Sequence, residues 1–332
     1  MYTDKQKKIA GPTAKRRRRR KRKNSLPLLM LAAVCLCLGA VFLLPTLKKA
    51  FTGEDTGSRA PSAPVELVDL SGLNSPYAVL MDPDSGEILA SRNSRESIYP
   101  ASMTKMMTAL LAVENLKDLD ETVTLPEDIF PKLYAENASQ AGFEPGEKVV
   151  ARDLLYGILL PSGAECCLTL AQEIDGSEEE FVRRMNRRAQ ELEMTGTHFC
   201  NTTGLYDEDH YSTAEDMALL LKYALQEPEF RQAFTSSSHS TSPTNRHPQG
   251  ITFYSTMFQA LESPQVPGGE ILGGKTGYTD ESGLCLASLA SINGKEYILV
   301  TAKAQGDHQT RPYHIEDAVT VYTQLGTSAQ NP

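Results

Sequence analysis

The sequence predicts an α+β domain whose antiparallel sheet is formed from both ends of the folded region, with a mostly helical subdomain between them. Two short strand patterns, Tyr77 to Met81 and Ile88 to Ser91, flank a turn that ends in Gly. Far along the chain, Glu270 to Thr276, Gly283 to Ile292 and Glu296 to Ala304 are apolar and partly alternating. An N-terminal transmembrane helix is expected in front of this domain.

Helical patterns fill the residues between the two groups of strands. Apolar spacings of three and four predict a helix over Ser102 to Glu114. A capping box opens another helix at Ser177, and Thr213 caps one that runs to Leu225. Asn293-Gly294 predicts a tight hairpin between the last two strands, and His314 to Leu325 predicts a closing helix.

Charge is divided unevenly along the chain. The first 50 residues contain 14 Lys and Arg and a single acid, whereas the remaining residues contain 19 bases and 41 acids. Phosphate binding needs clustered Lys and Arg on the working domain, so the acidic body excludes nucleic acid as a partner.

The basic cluster from Lys15 to Lys23 stands before an uncharged apolar run of 17 residues, Leu28 to Leu44. At about 1.5 Å per residue, such a helix just crosses a hydrocarbon core of ~30 Å. The basic residues follow the positive-inside pattern, which predicts a cytoplasmic N-terminus and a folded domain outside the cytoplasmic membrane. A cleaved signal peptide is the alternative, but the apolar run is long and no convincing A-x-A site follows it.

These patterns divide the chain into four predicted parts. The parts are a basic cytoplasmic tail over residues 1–25, an uncleaved single-pass signal anchor over 26–45, a Gly/Ser/Pro-rich linker over 46–75 and the folded domain over 76–327.

The six cysteines match no zinc-ligand spacing. Cys35 and Cys37 lie in the apolar run. The other four, which lie in the predicted folded domain, are Cys166, Cys167, Cys200 and Cys285. A disulfide is permitted outside the cell, but buried free thiols are the favoured interpretation. Neither a metal site nor a cofactor is predicted.

The first motif that carries chemistry is Ser102-Met103-Thr104-Lys105, at the start of the first predicted helix. Residues three apart share one face of a helix, so the Lys105 amine is expected beside the Ser102 hydroxyl. A serine needs an adjacent base to become a good nucleophile, and burial or a nearby cation can lower the pKa of a lysine enough for that role. Alone, S-x-x-K is common by chance.

Two further motifs follow in a fixed order. Ser162-Gly163-Ala164 lies after a helix predicted over Ala151 to Leu160, and Lys275-Thr276-Gly277 lies on a predicted strand. A lysine on an edge strand can bind a substrate carboxylate, and glycine lets a substrate backbone approach closely. Each motif alone indicates no more than a surface Ser or Lys, whereas the ordered set predicts one shared site.

The ordered motifs and their flanking residues resemble the D-alanyl-D-alanine carboxypeptidase family of low-molecular-mass penicillin-binding proteins, peptidase family S11. The segments that carry the resemblance are Pro100 to Thr108, Pro145 to Lys148, Arg152 to Gly157, Asn201 to Leu205, Tyr211 to Asp216 and Gly274 to Asp280. The resemblance covers nearly all of residues 75–325. It implies a fold of the β-lactamase/DD-peptidase type.

The resemblance also implies a reaction. Ser102 would attack the carbonyl between the two terminal D-Ala residues of a peptidoglycan stem peptide, and Lys105 would take its proton. Ser162 would relay a proton to the leaving D-Ala, and water would then release the acyl-enzyme. The same attack on penicillin or another β-lactam would leave a stable acyl adduct.

Substrate binding is implied for the third motif. Lys275 and Thr276 would bind the terminal carboxylate, beside Gly277. The backbone N–H groups of Ser102 and Tyr278 would form the oxyanion hole.

One position departs from the family pattern. The second motif usually ends in Asn, and here the position is Ala164. The side-chain amide of that Asn would be a hydrogen-bond donor in the site, and loss of one such donor can lower a rate by ~10²–10³. Glu165 is not expected to replace the amide, because adjacent helix positions face different ways. Altered rather than abolished activity is the interpretation.

Three alternatives are left open. A class A β-lactamase would need an E-x-x-L-N segment, which does not occur between Ser162 and Lys275. A zinc DD-carboxypeptidase would need a second His to join His210 and its neighbours Asp207 and Asp209. The third alternative is a non-catalytic receptor for cell wall or β-lactam, with Ala164 marking a weakened site.

Overall fold

The computed structural model describes residues 68–328, and the structural statements below refer to these residues. The predicted cytoplasmic tail, the signal anchor and most of the linker lie outside the described residues. Within residues 68–328, no helix has both the length and the apolar character that a membrane span requires.

Strands at both ends enclose a mostly helical middle. In chain order the elements are β1 (Tyr77–Met81), β2 (Ile88–Arg92), α1 (Lys105–Asn115), β3 (Thr122–Thr124), α2 (Phe130–Ala135), β4 (Lys148–Val150), α3 (Ala151–Leu159), α4 (Ala164–Asp175), α5 (Glu178–Glu191), α6 (Ala214–Ala224), α7 (Pro228–Phe234), β5 (Ser238–Ser240), β6 (Thr252–Tyr254), α8 (Thr256–Ala260), β7 (Gln265–Val266), β8 (Gly269–Gly277), β9 (Leu284–Ile292), β10 (Lys295–Ala304) and α9 (Tyr313–Ser328). Short 3₁₀ turns span Ala101–Thr104 and Glu127–Ile129.

The described region is organised around a six-stranded antiparallel sheet with the order β2-β1-β10-β9-β8-β7. The first strand pairs with the last, from Tyr77 opposite Ala302 to Met81 opposite Ile298. Both ends of the folded region therefore meet in one sheet, as predicted. The hairpin between β9 and β10 is also confirmed, because Asn293 (φ 53°) and Gly294 (φ 78°) have the positive φ angles that a type I′ turn needs.

The sheet separates two apolar layers, because successive side chains of a strand point to opposite faces. On one face, Leu80 and Leu299 pack with residues of α9, including Val321 and Tyr322. The other face, which includes Val79, packs against the helical subdomain around α1. The predicted closing helix therefore forms one outer layer, and the helical middle forms the other.

The folded domain begins earlier than the predicted boundary at residue 76. Val68, Leu70 and Leu73 are buried in the same apolar layer as α9. The Asp317 carboxylate on α9 accepts hydrogen bonds from the backbone N–H groups of Asn74 and Ser75, at 2.9 and 2.8 Å. The predicted linker was wrong for these last residues because three apolar side chains in a Gly- and Ser-containing stretch are a weak signal.

The predicted helix caps are present. Ser177 accepts a hydrogen bond from the backbone N–H of Glu180, and Thr213 accepts one from that of Asp216. These contacts satisfy N–H groups that have no partner inside the helix. The short hairpins β3–β4 and β5–β6 were not predicted, since three-residue strands leave almost no periodic pattern.

Candidate active site

The first motif begins in a 3₁₀ turn, Ala101–Thr104, and continues into α1 at Lys105. The Lys105 Nζ atom lies 3.0 Å from Ser102 Oγ and donates a hydrogen bond to the backbone carbonyl of Thr203 at 2.7 Å. Lys105 is almost completely buried, and this burial lowers its pKa. A lysine held so close to a serine, with its ammonium form disfavoured, is suited to take the serine's proton.

The nucleophile turn is supported from behind by the segment after Asn201. Ala101, directly before the serine, has φ +46°, which is uncommon for a residue with a side chain. Gly204 packs against it so closely that an added Cβ would lie 1.8 Å from the Ala101 carbonyl oxygen. Only glycine fits at this position, and the segment that carries it also supplies the carbonyl that binds Lys105.

His210 anchors the same segment to the helix. Its Nδ1 atom accepts a hydrogen bond from the backbone N–H of Cys200 at 3.1 Å, so Nε2 carries the proton and donates to Thr104 Oγ1 at 2.8 Å. Burial lowers the pKa of His210 to about 4, which keeps the ring neutral. Both ring nitrogens are engaged by protein, so His210 does not offer the zinc ligand considered above.

The second and third motifs meet across the cleft. Lys275 on β8 lies with its Nζ atom 2.9 Å from Ser162 Oγ and donates a further hydrogen bond to the Thr276 carbonyl, also at 2.9 Å. Lys275 is fully buried, and burial, followed by the nearby charge of Lys105, lowers its pKa well below the ordinary value. The site therefore contains two serine–lysine pairs, each with a buried amine.

The third motif closes the wall beside the nucleophile. A Cβ added at Gly277 would lie 3.0 Å from the backbone nitrogen of Ser102, so β8 approaches the nucleophile turn as closely as glycine permits. The Thr276 hydroxyl bonds to that of Thr256 at 2.6 Å. Between these elements lies a cleft of about 380 Å³, whose lining includes Ser102, Ser162, Thr276, Gly277 and Tyr278. The predicted site residues thus converge on one cleft, with the two lysines beneath its floor.

The departure at Ala164 has a clear structural setting. Ala164 is the first residue of α4 and is fully buried in a small apolar cluster with Leu133 and Leu168. The neighbouring Glu165 carboxylate accepts hydrogen bonds from the backbone N–H groups of Ala141 and Gly142. It is therefore occupied elsewhere and does not replace the missing amide, as the sequence indicated.

The cysteines of the described domain are unpaired, in agreement with the favoured interpretation. Cys166, Cys167 and Cys285 are buried, whereas Cys200 is partly exposed. Burial raises the pKa of Cys167 to about 12, so this thiol below the site stays protonated and inert at neutral pH.

Comparison with known proteins decides the family. The family model for D-alanyl-D-alanine carboxypeptidase matches residues 64–306. The chain belongs to the D-alanyl-D-alanine carboxypeptidase family. It is 36% identical over 235 residues to the D-alanyl-D-alanine carboxypeptidase DacF of Bacillus subtilis, covering 67% of this chain and 56% of that protein. It is 30% identical over 280 residues to DacC of Escherichia coli, covering 82% of this chain and 64% of that protein.

Solved structures place this member of the carboxypeptidase family in the DD-peptidase fold. The DD-transpeptidase of Streptomyces K15 superposes with a TM-score of 0.67 at 25% identity, over 76% of this chain and 97% of that one. A D-alanyl-D-alanine carboxypeptidase from Mycobacterium tuberculosis superposes with a TM-score of 0.66 at 27% identity, over 82% and 96% of the two chains. The chain therefore spans nearly all of these structures but less than two thirds of the two curated relatives above.

Three contributors to the site were missed from the sequence. They are the Thr203 carbonyl that binds Lys105, Ser139 on the cleft wall, and Thr256 beside Thr276. A backbone carbonyl carries no residue-type signal, and single Ser and Thr residues in loops are too common to stand out.

Proposed function

We propose that this chain is a serine-type D-alanyl-D-alanine carboxypeptidase that removes the terminal D-Ala from peptidoglycan stem peptides and is acylated by β-lactams. The observation that carries the proposal is the 3.0 Å approach of the buried Lys105 amine to the Ser102 hydroxyl at the floor of an open cleft. Membership of the family and the names of its relatives support the choice of substrate.

Acylation begins when neutral Lys105 takes the Ser102 proton and Oγ attacks the carbonyl carbon between the two D-Ala residues. The negative oxygen that forms is stabilised by the backbone N–H groups of Ser102 and Tyr278. The C–N bond then breaks, and the leaving D-Ala nitrogen takes a proton delivered through Ser162. The terminal carboxylate lies against Thr276, and the buried Lys275 amine beneath the cleft floor attracts it when protonated.

In deacylation, a water molecule replaces Ser102 as the nucleophile. Lys105 removes a proton from a water molecule, the water oxygen attacks the acyl carbon, and the Ser102–acyl bond breaks with return of a proton to Oγ. In the adduct with penicillin the leaving group stays attached, because opening the β-lactam ring breaks the C–N bond without releasing a fragment. Its bulk obstructs water, so the adduct persists.

The cellular setting that we propose is a membrane-anchored enzyme, on the basis of the N-terminal sequence. Residues 1–25 would be cytoplasmic, residues 26–45 would anchor the chain in the cytoplasmic membrane, and the catalytic domain would face the peptidoglycan outside. Support comes from the basic cluster directly before the apolar run Leu28 to Leu44. Fractionation, followed by protease treatment of intact spheroplasts, tests this topology, and a catalytic domain protected from protease would overturn it.

Labelling with a fluorescent penicillin, in the wild type and in Ser102→Ala, tests the activity. We expect a stable covalent label on the wild type only, together with release of D-Ala from a stem pentapeptide. An unlabelled wild type would overturn the proposal. A label released within seconds would favour a β-lactamase, and a stable label without D-Ala release would favour a β-lactam-binding receptor.

A further inference from the structure

Glu165 is a buried acid for which the proposed reaction has no role. It is the second residue of α4, directly after the turn of residues 162–164, and its side chain is fully buried. Oε1 accepts hydrogen bonds from the backbone N–H groups of Ala141 at 2.7 Å and Gly142 at 2.9 Å. Oε2 is buried without a hydrogen-bond partner among residues 68–328. Burying a carboxyl group is costly, and here the cost is offset only in part, by the two bonds that Oε1 accepts.

The loop of residues 139–142 touches the second-motif turn at several further points. Ser139 Oγ donates a hydrogen bond to the Ser162 carbonyl at 3.0 Å, and the Ala164 N–H donates one to the Ser139 carbonyl at 2.8 Å. A Cβ added at Gly163 would lie 2.8 Å from the Ala141 Cβ, so the loop and the turn are in tight contact. The Glu165 carboxylate fastens the far side of this loop to α4.

The turn needs support because Ser162 is strained. Its φ angle is +71°, in the left-handed region that is unfavourable for a residue with a side chain by ~1–2 kcal/mol. Such a conformation persists only where the surroundings hold it in place. In this conformation Ser162 Oγ lies 2.9 Å from Lys275 Nζ, and both Ser162 and Ser139 line the catalytic cleft.

We propose that Glu165 is a positioning residue, whose carboxylate clamps the loop of residues 139–142 against the turn so that Ser162 keeps its hydroxyl on Lys275. The proposal rests on the acyl-serine function proposed above, because it assigns Ser162 a part in acylation. Among the described residues, neither carboxylate oxygen forms a hydrogen bond with Lys105 or Lys275. The negative charge of Glu165 opposes the lowering of the Lys105 pKa by burial, so the test must separate this charge effect from the hold on the backbone.

The role depends on the acceptor oxygen rather than on the negative charge. Glutamine at position 165 keeps an oxygen that can accept both N–H bonds, whereas alanine removes the acceptor and leaves the partly buried N–H groups of Ala141 and Gly142 without their side-chain partner. Burial also raises the pKa of the Glu165 carboxyl, which brings it closer to the uncharged amide. Comparison of Glu165→Gln with Glu165→Ala therefore separates positioning from charge.

Asp317 offers a matched control. It too is a buried acid whose carboxylate accepts two consecutive backbone N–H groups, those of Asn74 and Ser75, but it lies on α9 and holds the segment before β1. Asp317→Ala breaks the same number of backbone contacts without touching the turn, and it also removes a hydrogen bond from the Asn74 side-chain amide. It reports the general cost of losing a buried clamp.

The test measures the acylation rate constant at saturating penicillin and the half-saturating concentration, each corrected for the folded fraction. A misplacement of about 1 Å can cost ~10²-fold in rate, so we expect Glu165→Ala to lose up to ~10²-fold in the rate constant and Glu165→Gln to stay within ~3-fold of wild type. Asp317→Ala should lose stability while its folded molecules acylate at the wild-type rate. If Glu165→Ala does not fold, Glu165→Asp, which withdraws the carboxyl by one methylene, takes its place.

Amide hydrogen exchange at residues 141 and 142 provides a readout that does not require acylation. Exchange at these amides should be at least about tenfold faster in Glu165→Ala than in wild type, and near wild type in Glu165→Gln. Wild-type acylation rates in Glu165→Ala, or unchanged exchange, would overturn the proposal. Equal losses in Glu165→Gln and Glu165→Ala would also overturn it, in favour of a charge effect. A wild type that never acylates would instead contradict the proposed function, and the exchange data would still decide whether the clamp exists.

Discussion

The cleft contains two serine–lysine pairs with nearly the same geometry but different origins. Ser102 and Lys105 are three positions apart and 3.0 Å from Oγ to Nζ, whereas Ser162 and Lys275 are 113 positions apart and 2.9 Å from Oγ to Nζ. One turn of helix is enough to form the first pair. The second exists only when β8 and the turn after α3 are packed together, so it depends on many more contacts.

The lysines of the two pairs have similar electrostatic surroundings. Within residues 68–328, neither lysine has a carboxylate partner within salt-bridge distance, and both are almost completely buried. Burial lowers the pKa of both amines, and for Lys275 the charge of Lys105 lowers it further. Because two buried cations repel each other, a proton on one lysine disfavours a proton on the other, which suits a site that must pass a proton across the cleft.

Removal of the Lys105 amine should have the largest effect on the rate of acylation. Lys105→Met keeps most of the buried volume but cannot take the serine proton, so we expect the rate of acylation by penicillin to fall by ~10⁴-fold or more. Stability should change little, because removal of a buried amine without a carboxylate partner offsets the loss of its hydrogen bond to the Thr203 carbonyl. Stopped-flow acylation and urea unfolding measure the two effects. A loss below tenfold would show that Lys105 is not the base.

Removal of the Lys275 amine should lower the rate of acylation by a smaller factor. Lys275→Met leaves the nucleophile and its base intact but removes the partner of Ser162, so we expect acylation to slow by ~10²–10³-fold. The half-saturating concentration of a stem pentapeptide should also rise, because its carboxylate loses a nearby positive group. If this variant is as inactive as Lys105→Met, the two pairs act as one unit, and the double variant will show no further loss.

Acid should lower the free energy of unfolding, in part through His210, which holds the segment behind the first pair. Its pKa is about 4 in the folded protein, below its ordinary value of about 6.5, so the unfolded chain binds more protons between these values. The free energy of unfolding should therefore fall by ~3 kcal/mol as the pH drops from 6.5 to 4. Above pH 6.5 the contribution of His210 is fully present.

His314 has a similarly low pKa of about 4, also because of burial. It therefore makes its own contribution to the fall in the free energy of unfolding over the same pH range. His210→Gln should remove about half of the combined slope, and His314→Gln the other half. Urea unfolding at pH 7, 5.5 and 4.5 measures the slopes. An unchanged slope in His210→Gln would contradict the neutral, doubly bonded ring.

The smallest expected effect concerns Ala164. Because its side chain lies among Leu133 and Leu168, an amide there would be buried without a partner, and we expect Ala164→Asn to lose ~1–3 kcal/mol of stability. Acylation by the folded molecules should change by less than about threefold, since Ala164 packs in this apolar cluster and is not among the residues that line the cleft. Ala171→Asn, at a buried position of the same helix, is the matched control. Acylation that is tenfold faster in Ala164→Asn would show that the family's amide can be restored here.

The difference between the pairs also explains what the sequence could predict. Ser102 and Lys105 share a helix face whether the turn is α or 3₁₀, so their contact was predictable even though the first turn is 3₁₀. Five of the six strands of the sheet were predicted nearly to the residue, because alternation and the Asn-Gly turn are strong local signals. The two-residue strand β7 was not predicted, since it is too short to show a pattern.

The contact between Ser162 and Lys275 was expected only from the order of the motifs and the family resemblance. Its physical basis includes the left-handed Ser162 and the Glu165 clamp, which reaches back 24 positions to Ala141. Neither has a local pattern, since one is a backbone angle and the other is a carboxylate bonded to backbone N–H groups. The early start of the domain at Val68 was missed for a similar reason, because its partner is the distant helix α9.

The pairing of β1 with β10 has a consequence for how the chain reaches this structure. Residue 77 is matched with residue 302, so the first strand is made long before its neighbour exists. At ~5–20 residues per second of synthesis, β1 and β2 wait roughly 10–45 s with an open edge. Folding should therefore be slow to nucleate and governed by long-range contacts, and the waiting hairpin is the part of the nascent chain most in need of protection from aggregation.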